Sequence, residues 1–504
     1  MLKLLLSFFV LTNVYANVNF CQSELEKMPI RQDGRVKPLT VHAKEVIDHL
    51  TGKKKAKGYT SVETFCHLSA KAFGLEVPFK LKTKIEHKDT KKLLDSDGEM
   101  GFDELITHST TIRMAYQKEK VESGYKKELN KLLNKIGLYN DIVGGTNWQL
   151  PVKVGAEINW TPITDFLTKE KIDAIAQTSS TPFKDAFAQA KKDYVNLKGD
   201  KYMVEYTFDK MQLTKIAFAL TLIALAALVL FKKFGVALSL ATVTIIVQTI
   251  YLSLRVYISG RAPITNMYET VIFSGYGGLL LSMIIGHLKK EKTYLYMGLA
   301  YNLCTLMMIT FATNMVSPSI SPLVPVLRDN FWLSTHVTTI IMSYGALALS
   351  WILANTILFR KAFGEFSSKD ETYYNDLIYT TLKYGVIMLA AGIILGGVWA
   401  DYSWGRFWGW DPKETWSLIV LCIYMAILHG KYTNWINNNR FGTLVAGAFM
   451  SVMMAWFGVN YILATGLHSY GFSQGGAYFL GTFFTIQTLI LIFTNIKIHS
   501  NKSA

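Results

Sequence analysis

Nine long apolar segments occupy the second half of this 504-residue sequence, and they constrain its fold more than any other feature. Each is close to the ~20 residues that a helix needs to cross a ~30 Å hydrocarbon core. Backbone groups in such a core must be hydrogen-bonded internally, so these segments are expected to be helices. They are 213–231, 234–254, 267–286, 294–315, 331–359, 377–399, 415–430, 441–464 and 477–496. The sequence therefore predicts an all-α polytopic membrane protein with about nine transmembrane helices.

The N-terminus has the pattern of an export signal. Lys3 precedes the apolar stretch 4–11, and Val14-Tyr15-Ala16 forms a small-residue cleavage site. The alternative is an uncleaved anchor helix, for which the apolar stretch is short. Residues 1–16 are therefore predicted to be a signal peptide or a short anchor, and either interpretation puts the following polar region outside the cytoplasm.

Residues 17–210 are polar and lysine-rich, and they are predicted to form a soluble, mostly helical periplasmic domain ahead of a multi-span domain at 211–504. Apolar residues recur at helical spacing in three stretches of this part, at 39–50, 129–136 and 183–195. Two glycines and a proline predict a loop over 144–151.

The cysteines exclude one class of protein and leave one question open. No Cys-x-x-Cys-His occurs, so the chain is not itself a c-type cytochrome. Cys21 and Cys66 fall in the polar half and could form a disulfide if that half is exported. The sequence alone does not decide whether they are bonded.

The net charge of +15 would suit either a nucleic-acid binder or a protein at an anionic membrane surface. No basic stripe with interleaved aromatic residues occurs in the polar half, so no nucleic-acid partner is predicted. Lysine and arginine are concentrated instead in the connections 232–233, 287–292, 360–376 and 431–440 and in the tail from 497. These are the cytoplasmic connections if residues 17–210 are exported, as the positive-inside rule requires. The predicted location is the bacterial inner (cytoplasmic) membrane.

The same topology places four connections on the periplasmic face, at 259–266, 317–330, 400–413 and 465–476. Two histidines belong to that face. His336 lies at the outer end of the fifth segment, and His468 lies in the connection after the eighth. They flank the 400–413 connection in sequence and share its side of the membrane.

That connection belongs to a dense aromatic stretch. From Trp399 to Trp416 the chain carries five tryptophans, a tyrosine and a phenylalanine in eighteen positions. An aromatic belt at the membrane interface is the alternative interpretation, but a belt needs only one or two aromatic residues per helix end. Aromatic rings offer broad, rigid apolar faces that suit a planar macrocycle such as porphyrin. Trp404, Trp408 and Trp410 are the candidate platform residues.

The charged residues of the stretch have separate predicted roles. Arg406 and Lys413 could pair with porphyrin propionates. Asp411 and Glu414 are expected to fix the loop by hydrogen bonds and helix capping, since Asp411-Pro412 precedes a helix. Haem iron accepts two axial nitrogen ligands. The sequence therefore predicts haem held between His336 and His468 against the aromatic loop.

His429 is a different case, because it lies about thirteen residues beyond Trp416, or roughly 20 Å along a helix. It is either a residue of the cytoplasmic boundary or a ligand of a second haem site, since one porphyrin cannot span that distance. No other histidine falls within a predicted span on that side, since His287 lies near the inner end of the third. A second axial ligand at that depth is therefore expected to come from another chain.

Residues 404–416 resemble the tryptophan-rich "WWD" signature of haem-handling proteins, and they look most like the CcsA/ResC branch of System II cytochrome c biogenesis. The similarity extends over roughly residues 210–500, including Arg261-Ala-Pro-Ile-Thr-Asn-Met-Tyr-Glu269 and Gly466-Leu-His-Ser-Tyr470. In this family His336 and His468 match the two external haem-ligand histidines, and His429 matches the transmembrane histidine. Trp404, Trp408, Trp410 and Asp411 match the signature itself.

The resemblance implies that the chain binds haem b at the outer site and presents it for thioether attachment to the Cys-x-x-Cys-His of an apocytochrome c. The chain would then be a haem-attachment component of a cytochrome c synthase, or haem lyase. Fused synthases of this family carry a CcsB/ResB half with a further transmembrane histidine, which this sequence lacks. A separate CcsB/ResB-like subunit is therefore implied.

Three alternatives stay open at this point. A System I protein of the CcmC or CcmF type would keep the haem but change the pathway. A haem exporter would move haem without attaching it. A membrane electron carrier of the cytochrome b kind would need histidine pairs deep within facing helices, whereas only His429 lies inside a predicted segment, His336 being at the outer end of its own.

Overall fold

The computed structural model describes residues 21, 23–32, 34–121, 123–167, 181–312, 315–322, 329–364, 366–463 and 476–503. The chain forms two compact units, Met1–Lys210 and Met211–Ala504. The predicted signal at 1–16 and the predicted ligand His468 lie outside the described residues.

The first unit is mixed but mostly helical, as predicted. Three two-stranded antiparallel sheets accompany its helices. The strands are Pro29–Gln32 (β1), Arg35–Pro38 (β2), Lys82–Lys84 (β3), Glu99–Gly101 (β4), Gln149–Val154 (β5) and Glu157–Pro162 (β6). The α-helices are Leu39–Thr51 (α1), Ser61–Ala70 (α2), Lys88–Leu94 (α3), Phe102–Thr107 (α4), Ser109–Lys118 (α5), Gly124–Val143 (α6), Ile163–Phe166 (α7), Thr181–Lys198 (α8) and Met203–Met211 (α9). Two short 3₁₀ helices, Ser23–Lys27 and Lys71–Phe73, complete the unit.

Local sequence explains where the helices begin and end. The apolar spacing at 39–50 becomes the buried face of α1, which starts after Pro38 and stops at Gly52. The φ of Gly52 is +71°, a left-handed conformation that glycine adopts without strain. The helix α2 begins with a reciprocal capping box between Thr60 and Glu63. The predicted helices at 129–136 and 183–195 lie within α6 and α8.

The predicted loop over 144–151 is wrong at its end. Gln149 begins β5, and Pro151 within this strand pairs with Trp160 of β6. Proline breaks a ladder only where its missing N–H would have a partner. Each strand of a two-stranded hairpin keeps one open edge, so a proline is tolerated there.

Buried cross-links tie distant parts of the first unit together. Cys21 and Cys66 form a disulfide, which answers the question that the sequence left open. Lys135 of α6 is buried, and its Nζ donates to the carbonyl of Leu50 at 3.0 Å and to Thr83 Oγ1 at 2.7 Å. A buried ammonium needs such acceptors. These bonds join the end of α1 to β3.

Among the described residues, nine helices are long and apolar enough to cross a membrane, which confirms the predicted fold class. Their bounds are Leu213–Val229 (α10), which α9 extends back to Met203, Phe234–Ser259 (α11), Met267–Lys289 (α12), Thr293–Phe311 (α13), Asn330–Phe363 (α14), Ser368–Trp404 (α15), Pro412–Tyr432 (α16), Asn438–Tyr461 (α17) and Gly476–Ser503 (α18). The chain is a multi-pass membrane protein.

Small residues and buried amides hold these helices together. A Cβ at Gly275 of α12 would lie 1.9 Å from Thr305 Oγ1 of α13, so only glycine permits this approach. The buried Asn302 amide exchanges hydrogen bonds with Gln248 and donates to Thr221 at 3.3 Å. Such close packing and polar contacts replace the hydrophobic driving force that is missing between helices in lipid.

Two of the helices contain a π turn. In α14 the turn spans Leu333–Val337, and in α17 it spans Met454–Gly458. A π turn accommodates one extra residue within a helix, and such turns are frequent at functional sites. Both turns lie beside the same cavity.

Candidate functional site

The second unit contains a mainly apolar cavity between α12, α14, α15, α17, the start of α16 and the loop between α15 and α16. It encloses about 1130 Å³ of space not filled by atoms, including its open mouth. Its walls are mostly aliphatic and aromatic, with a few polar groups: Thr265, Asn266, Thr270, His336, Lys413, Glu414, Ser417 and Asn460.

His336 lies in the π turn of α14 and lines this cavity. Its Nδ1 is 2.8 Å from the carbonyl oxygen of Gly392 in α15. A carbonyl can only accept, so Nδ1 carries the proton and Nε2 carries the lone pair. Metal-binding histidines are generally held by a hydrogen bond of this kind. The indole ring of Trp399 packs against the imidazole at a centroid distance of 5.8 Å.

Two glycines of α15 make room for the site. A Cβ at Gly396 would lie 2.6 Å from His336 Cε1, and a Cβ at Gly397 would lie 2.5 Å from the ring of Phe407. Real Cβ atoms do not approach other atoms this closely. The absence of side chains at these two positions therefore lets the imidazole and the loop pack directly on α15.

The aromatic loop supplies one side of the cavity. Trp404, Phe407 and Trp408 line it. Trp410 packs edge-on against Trp408 at 5.8 Å, but its own side chain is 69% exposed and does not line the cavity in the described part of the chain. The φ of Trp410 is +56°, a left-handed conformation that costs free energy in a residue other than glycine. The loop is therefore held in a shape that its residues do not favour by themselves.

The acidic residues fix that shape, as the sequence predicted. The Asp411 carboxylate accepts from the Glu414 N–H at 2.9 Å, and the Glu414 carboxylate accepts from the N–H groups of Asp411 and Gly409. This is a capping box with Pro412 at the first helical position of α16. Arg406 extends the same cluster, because its Nη1 lies 3.9 Å from Glu414 Oε1.

Two buried polar atoms at the cavity have no hydrogen-bond partner among the described residues. They are the indole Nε1 of Trp399, whose residue is 4% exposed, and Oδ1 of Asn460, which is 3% exposed. Both residues line the cavity. Native proteins rarely leave such groups unpaired, since each costs roughly 1–3 kcal/mol. An acceptor at the edge of a ligand, such as a porphyrin propionate, would pair with the Trp399 N–H, whereas Asn460 Oδ1 needs a donor.

His429 lies elsewhere, in the last turn of α16 at the end opposite the aromatic loop. Its side chain is exposed on the surface of the unit. Its Nδ1 is 2.8 Å from the carbonyl of Met425, so Nδ1 is again the protonated nitrogen and Nε2 carries the lone pair. Ile419, Cys422 and Met425 of α16 are exposed too.

The cavity thus brings together His336, Trp404 and Trp408 of the predicted site residues. Within the described ranges, Arg406, Trp410 and Asp411 belong to the loop but do not line the cavity, and His429 is remote from it. Trp456, Asn460 and Tyr344 complete the walls and were not predicted from the sequence. No motif marks these three residues, because they are ordinary members of apolar helices until the helices pack.

Comparison with known proteins finds a matching family model and several relatives. The family model described as "Cytochrome C assembly protein" matches residues 264–468. A protein named "Cytochrome c biogenesis protein CcsA" from Guillardia theta is 34% identical over 259 residues, which are 46% of this chain and 83% of that relative. The chain belongs to the CcsA family of cytochrome c assembly proteins. It acts in cytochrome c biogenesis.

Two further relatives define the extent of this similarity. The CcsA of Prochlorococcus marinus (strain MIT 9312) is 32% identical over half of this chain and 90% of its own length. The protein NrfI of Wolinella succinogenes is 33% identical over 44% of this chain, but the match covers only 25% of NrfI. The family model leaves residues before 264 outside its match, so the first unit takes no assignment from it.

Proposed function

We propose that this CcsA-family chain binds haem b in the cavity of its second unit, with His336 Nε2 as an axial ligand of the iron. The observation that carries the proposal is the His336–Gly392 hydrogen bond at 2.8 Å in a cavity that Trp404 and Trp408 also line. The bond selects the tautomer that presents Nε2, and the indole rings provide apolar faces for a porphyrin.

His468 is proposed as the second axial ligand on the grounds of sequence. It lies seven residues beyond the end of α17 at Tyr461, the helix that contributes Trp456 and Asn460 to the cavity. The two imidazoles would hold the haem and set the reduction potential of its iron.

Lys413 is the proposed partner for a haem propionate. It lines the cavity, whereas Arg406 is 3.9 Å from Glu414 within the loop. We therefore assign Arg406, together with Asp411 and Trp410, to maintaining the loop rather than to contacting haem. An ammonium and a carboxylate form a charge-assisted bond that gains strength in an apolar site.

The bound haem would supply vinyl groups, to which cysteine thiols of an apocytochrome c add: a C–S bond forms, and the thiol hydrogen goes to the other vinyl carbon. This chain's residues would bind and orient the porphyrin rather than react with it. The His336 imidazole and the loop rings fix the position of the ring edge. The apocytochrome is thus a proposed partner, and the chain a proposed haem-attachment component.

We propose a second haem position at His429, shared with a CcsB/ResB-like subunit. His429 presents Nε2 from an exposed helix face, which suits a ligand shared with another chain. An ionisable side chain within a membrane helix is costly to keep there, so it is a candidate for a functional site. The partner would supply the opposite ligand.

The proposed orientation rests on the distribution of charge. The lysine- and arginine-rich connections 232–233, 287–292, 360–376 and 431–440 are proposed to face the cytoplasm. The aromatic loop and residues 17–210 would then face the periplasm of a bacterial inner membrane. The disulfide between Cys21 and Cys66 supports export, because disulfides persist in oxidising compartments.

The test is the absorbance spectrum of the purified full chain, alone and with its partner, together with maturation of a c-type cytochrome in cells. His336→Ala and His468→Ala are expected to remove the bis-histidine signal and to abolish maturation. His429→Ala should reduce a separate fraction of bound haem. His287→Ala, at an exposed helix end, is the matched control and should leave both readouts unchanged.

Unchanged maturation in both His336→Ala and His468→Ala would refute the proposal. Haem accumulation outside the cytoplasm without any thioether product, even with all partners present, would favour a haem exporter. A pull-down that recovers System I components instead of a CcsB/ResB-like subunit would favour a CcmC- or CcmF-type role.

A further inference from the structure

The segment 261–269 resembles the family pattern, but the proposed function gives it no role. The structure places its last residue in a buried ion pair: Arg255 Nε in α11 lies 2.6 Å from Glu269 Oε1 in α12, and each side chain is 1% exposed. Removing two charges from solvent is costly, so a pair of this kind needs specific compensating contacts. Charged residues within membrane helices also mark functional regions.

Glu269 organises the start of α12. Its Oε2 accepts from both the backbone N–H and the hydroxyl of Thr265, each at 2.7 Å. Asn266 caps the helix by accepting from the Glu269 N–H at 2.9 Å. Ile264, Thr265, Asn266, Met267 and Thr270 form one wall of the cavity. The ion pair therefore sets the shape of that wall.

The same residues hold a second segment, 315–322, which we call the strap. Arg255 Nη2 and Asn266 Nδ2 both donate to the carbonyl of Ser319, at 3.4 Å and 3.3 Å. Arg261 donates to the carbonyl of Ser321. At the other end of the strap, the Tyr461 hydroxyl of α17 donates to the carbonyl of Met315 at 2.8 Å.

The strap contacts two walls of the site and precedes a third along the chain. Along the chain it leads toward α14, whose second turn carries His336. Through Tyr461 it contacts α17, the helix of Trp456 and Asn460. Through Arg255 and Asn266 it contacts the wall at the start of α12.

We infer that the Arg255–Glu269 pair and Asn266 are positioning residues for the cavity: they hold the α12 wall and the strap in register with His336. The inference rests on the proposed haem site. This positioning role differs from ordinary packing between helices. Gln487, for example, also makes hydrogen bonds between helices: it accepts from the Trp351 indole at 2.8 Å and donates to the Asn355 side chain at 3.0 Å. In the described part of the chain, none of these three residues lines the cavity.

The experiment compares full-length variants in detergent by haem titration, by the reduction potential of the bound haem and by thermal unfolding. Asn266→Ser is the central variant, since serine keeps the helix cap but cannot donate to the Ser319 carbonyl across the same distance. Glu269→Gln removes the charge, and Glu269→Asp is the conservative rescue. Gln487→Met is the control for lost interhelical bonds away from the cavity.

Asn266→Ser and Glu269→Gln are expected to weaken the His336-dependent haem binding about tenfold, the low end of the 10- to 100-fold losses for groups that orient metal ligands, and to shift its potential. Glu269→Asp should recover part of both. Gln487→Met should lower the unfolding temperature without changing the potential. If Glu269→Gln does not fold, Asn266→Ser alone carries the test.

Wild-type affinity and potential in a folded Asn266→Ser variant, with His336→Ala still losing haem, would overturn this inference and leave the proposed function intact. If His336→Ala itself binds haem like the wild type, the proposed site is wrong, and the inference falls with it. The two failures are therefore distinguishable in one set of measurements.

Discussion

At the scale of single residues, the position of His336 depends on a backbone carbonyl and on a glycine that has no side chain. Its Nδ1–H donates to the backbone carbonyl of Gly392, and its ring occupies the space that a Cβ at Gly396 would need. Such neighbours leave no mark in the composition of a helix. The histidine was predictable from its place in the sequence, whereas the groups that orient it were not.

Gly396→Ala should therefore displace the imidazole. The new Cβ would lie 2.6 Å from His336 Cε1, so the ring must move and its bond to Gly392 must lengthen. We expect about tenfold weaker haem binding at this site, in line with other losses of ligand orientation. Haem titration of the full chain measures it.

Gly481→Ala in α18 is the matched control, because a Cβ there meets nothing within 4 Å. Replacing glycine by alanine within a helix should stabilise it by roughly 0.5–1 kcal/mol. Equal haem affinities in the two alanine variants would show that Gly396 does not position the ring.

A second histidine makes the first unit sensitive to acid. Burial, helped by the charge of Lys37, lowers the pKa of His42 to about 3 although its hydrogen bond with Asn147 acts in the opposite sense. The unfolded chain takes up this proton near the ordinary pKa of 6.5, and the folded unit does not. Stability is thus complete above pH 6.5 and falls by about 1.4 kcal/mol per pH unit below it.

Hydrogen exchange of residues 39–51 in the full chain, corrected for intrinsic rates, should show this loss between pH 7.5 and pH 5. In His42→Gln the same segment should be less stable at neutral pH, but its protection should depend less steeply on pH. Identical pH slopes in the two proteins would contradict a buried neutral imidazole.

At the scale of elements, the start of α16 was predictable and the two π turns were not. Asp411-Pro412 followed by Glu414 is a capping pattern that depends on three neighbouring positions, and the structure has it. The π turns at Leu333–Val337 and Met454–Gly458 arise where packed helices need one more residue on a wall. That need exists only in the assembled unit. The cavity, which both turns line, was out of reach for the same reason.

Asp411→Ala should destabilise the aromatic loop through its helix. The variant leaves the Glu414 N–H without its acceptor, which typically costs about 1 kcal/mol at a helix N-terminus. The strained φ of +56° at Trp410 makes the loop depend on this cap. Thermal unfolding and haem retention should both decline.

Asp411→Ser should keep most of both properties, because serine can accept the same hydrogen bond. The comparison separates capping from any direct contact between the carboxylate and haem. If the alanine and serine variants lose haem equally, the carboxylate itself is what haem binding requires.

At the scale of the whole molecule, most ends of the nine apolar segments were predicted to within a few residues. The membrane imposes length and composition on every span. The larger departures are α10, which α9 extends back to Met203, α18, which continues to Ser503, and α15, which runs over 37 residues from Ser368 to Trp404 against the predicted 377–399. Polar residues at the ends of α15 contribute to a helix that apolar content alone does not outline. A helix this long reaches roughly 55 Å, more than a bilayer core.

Its two ends offer a direct test of orientation. Ser368 and Ser403 are both exposed at opposite ends of α15. In a chain with Cys304 and Cys422 changed to alanine, Ser403→Cys should react with a membrane-impermeant maleimide in spheroplasts. Ser368→Cys should react only after the membrane is permeabilised, since its connection is rich in lysine and arginine.

Each serine thus controls for the other, because the two cysteines share one helix and one background. The reverse labelling pattern would put the aromatic loop in the cytoplasm. Haem could then not meet an exported apocytochrome at this cavity.

Each of the two π turns adds one surplus residue to a wall of the cavity. Each successive residue of an α-helix is rotated by roughly 100° and rises 1.5 Å, so absorbing the surplus residue of a π turn would swing the side chains on one side of it by that angle. His336 is within one such turn and Trp456 within the other. Loss of the surplus residue from either turn would therefore re-aim the side chains of that wall without unfolding the helix, as the proposed uptake and release of a rigid disc would require.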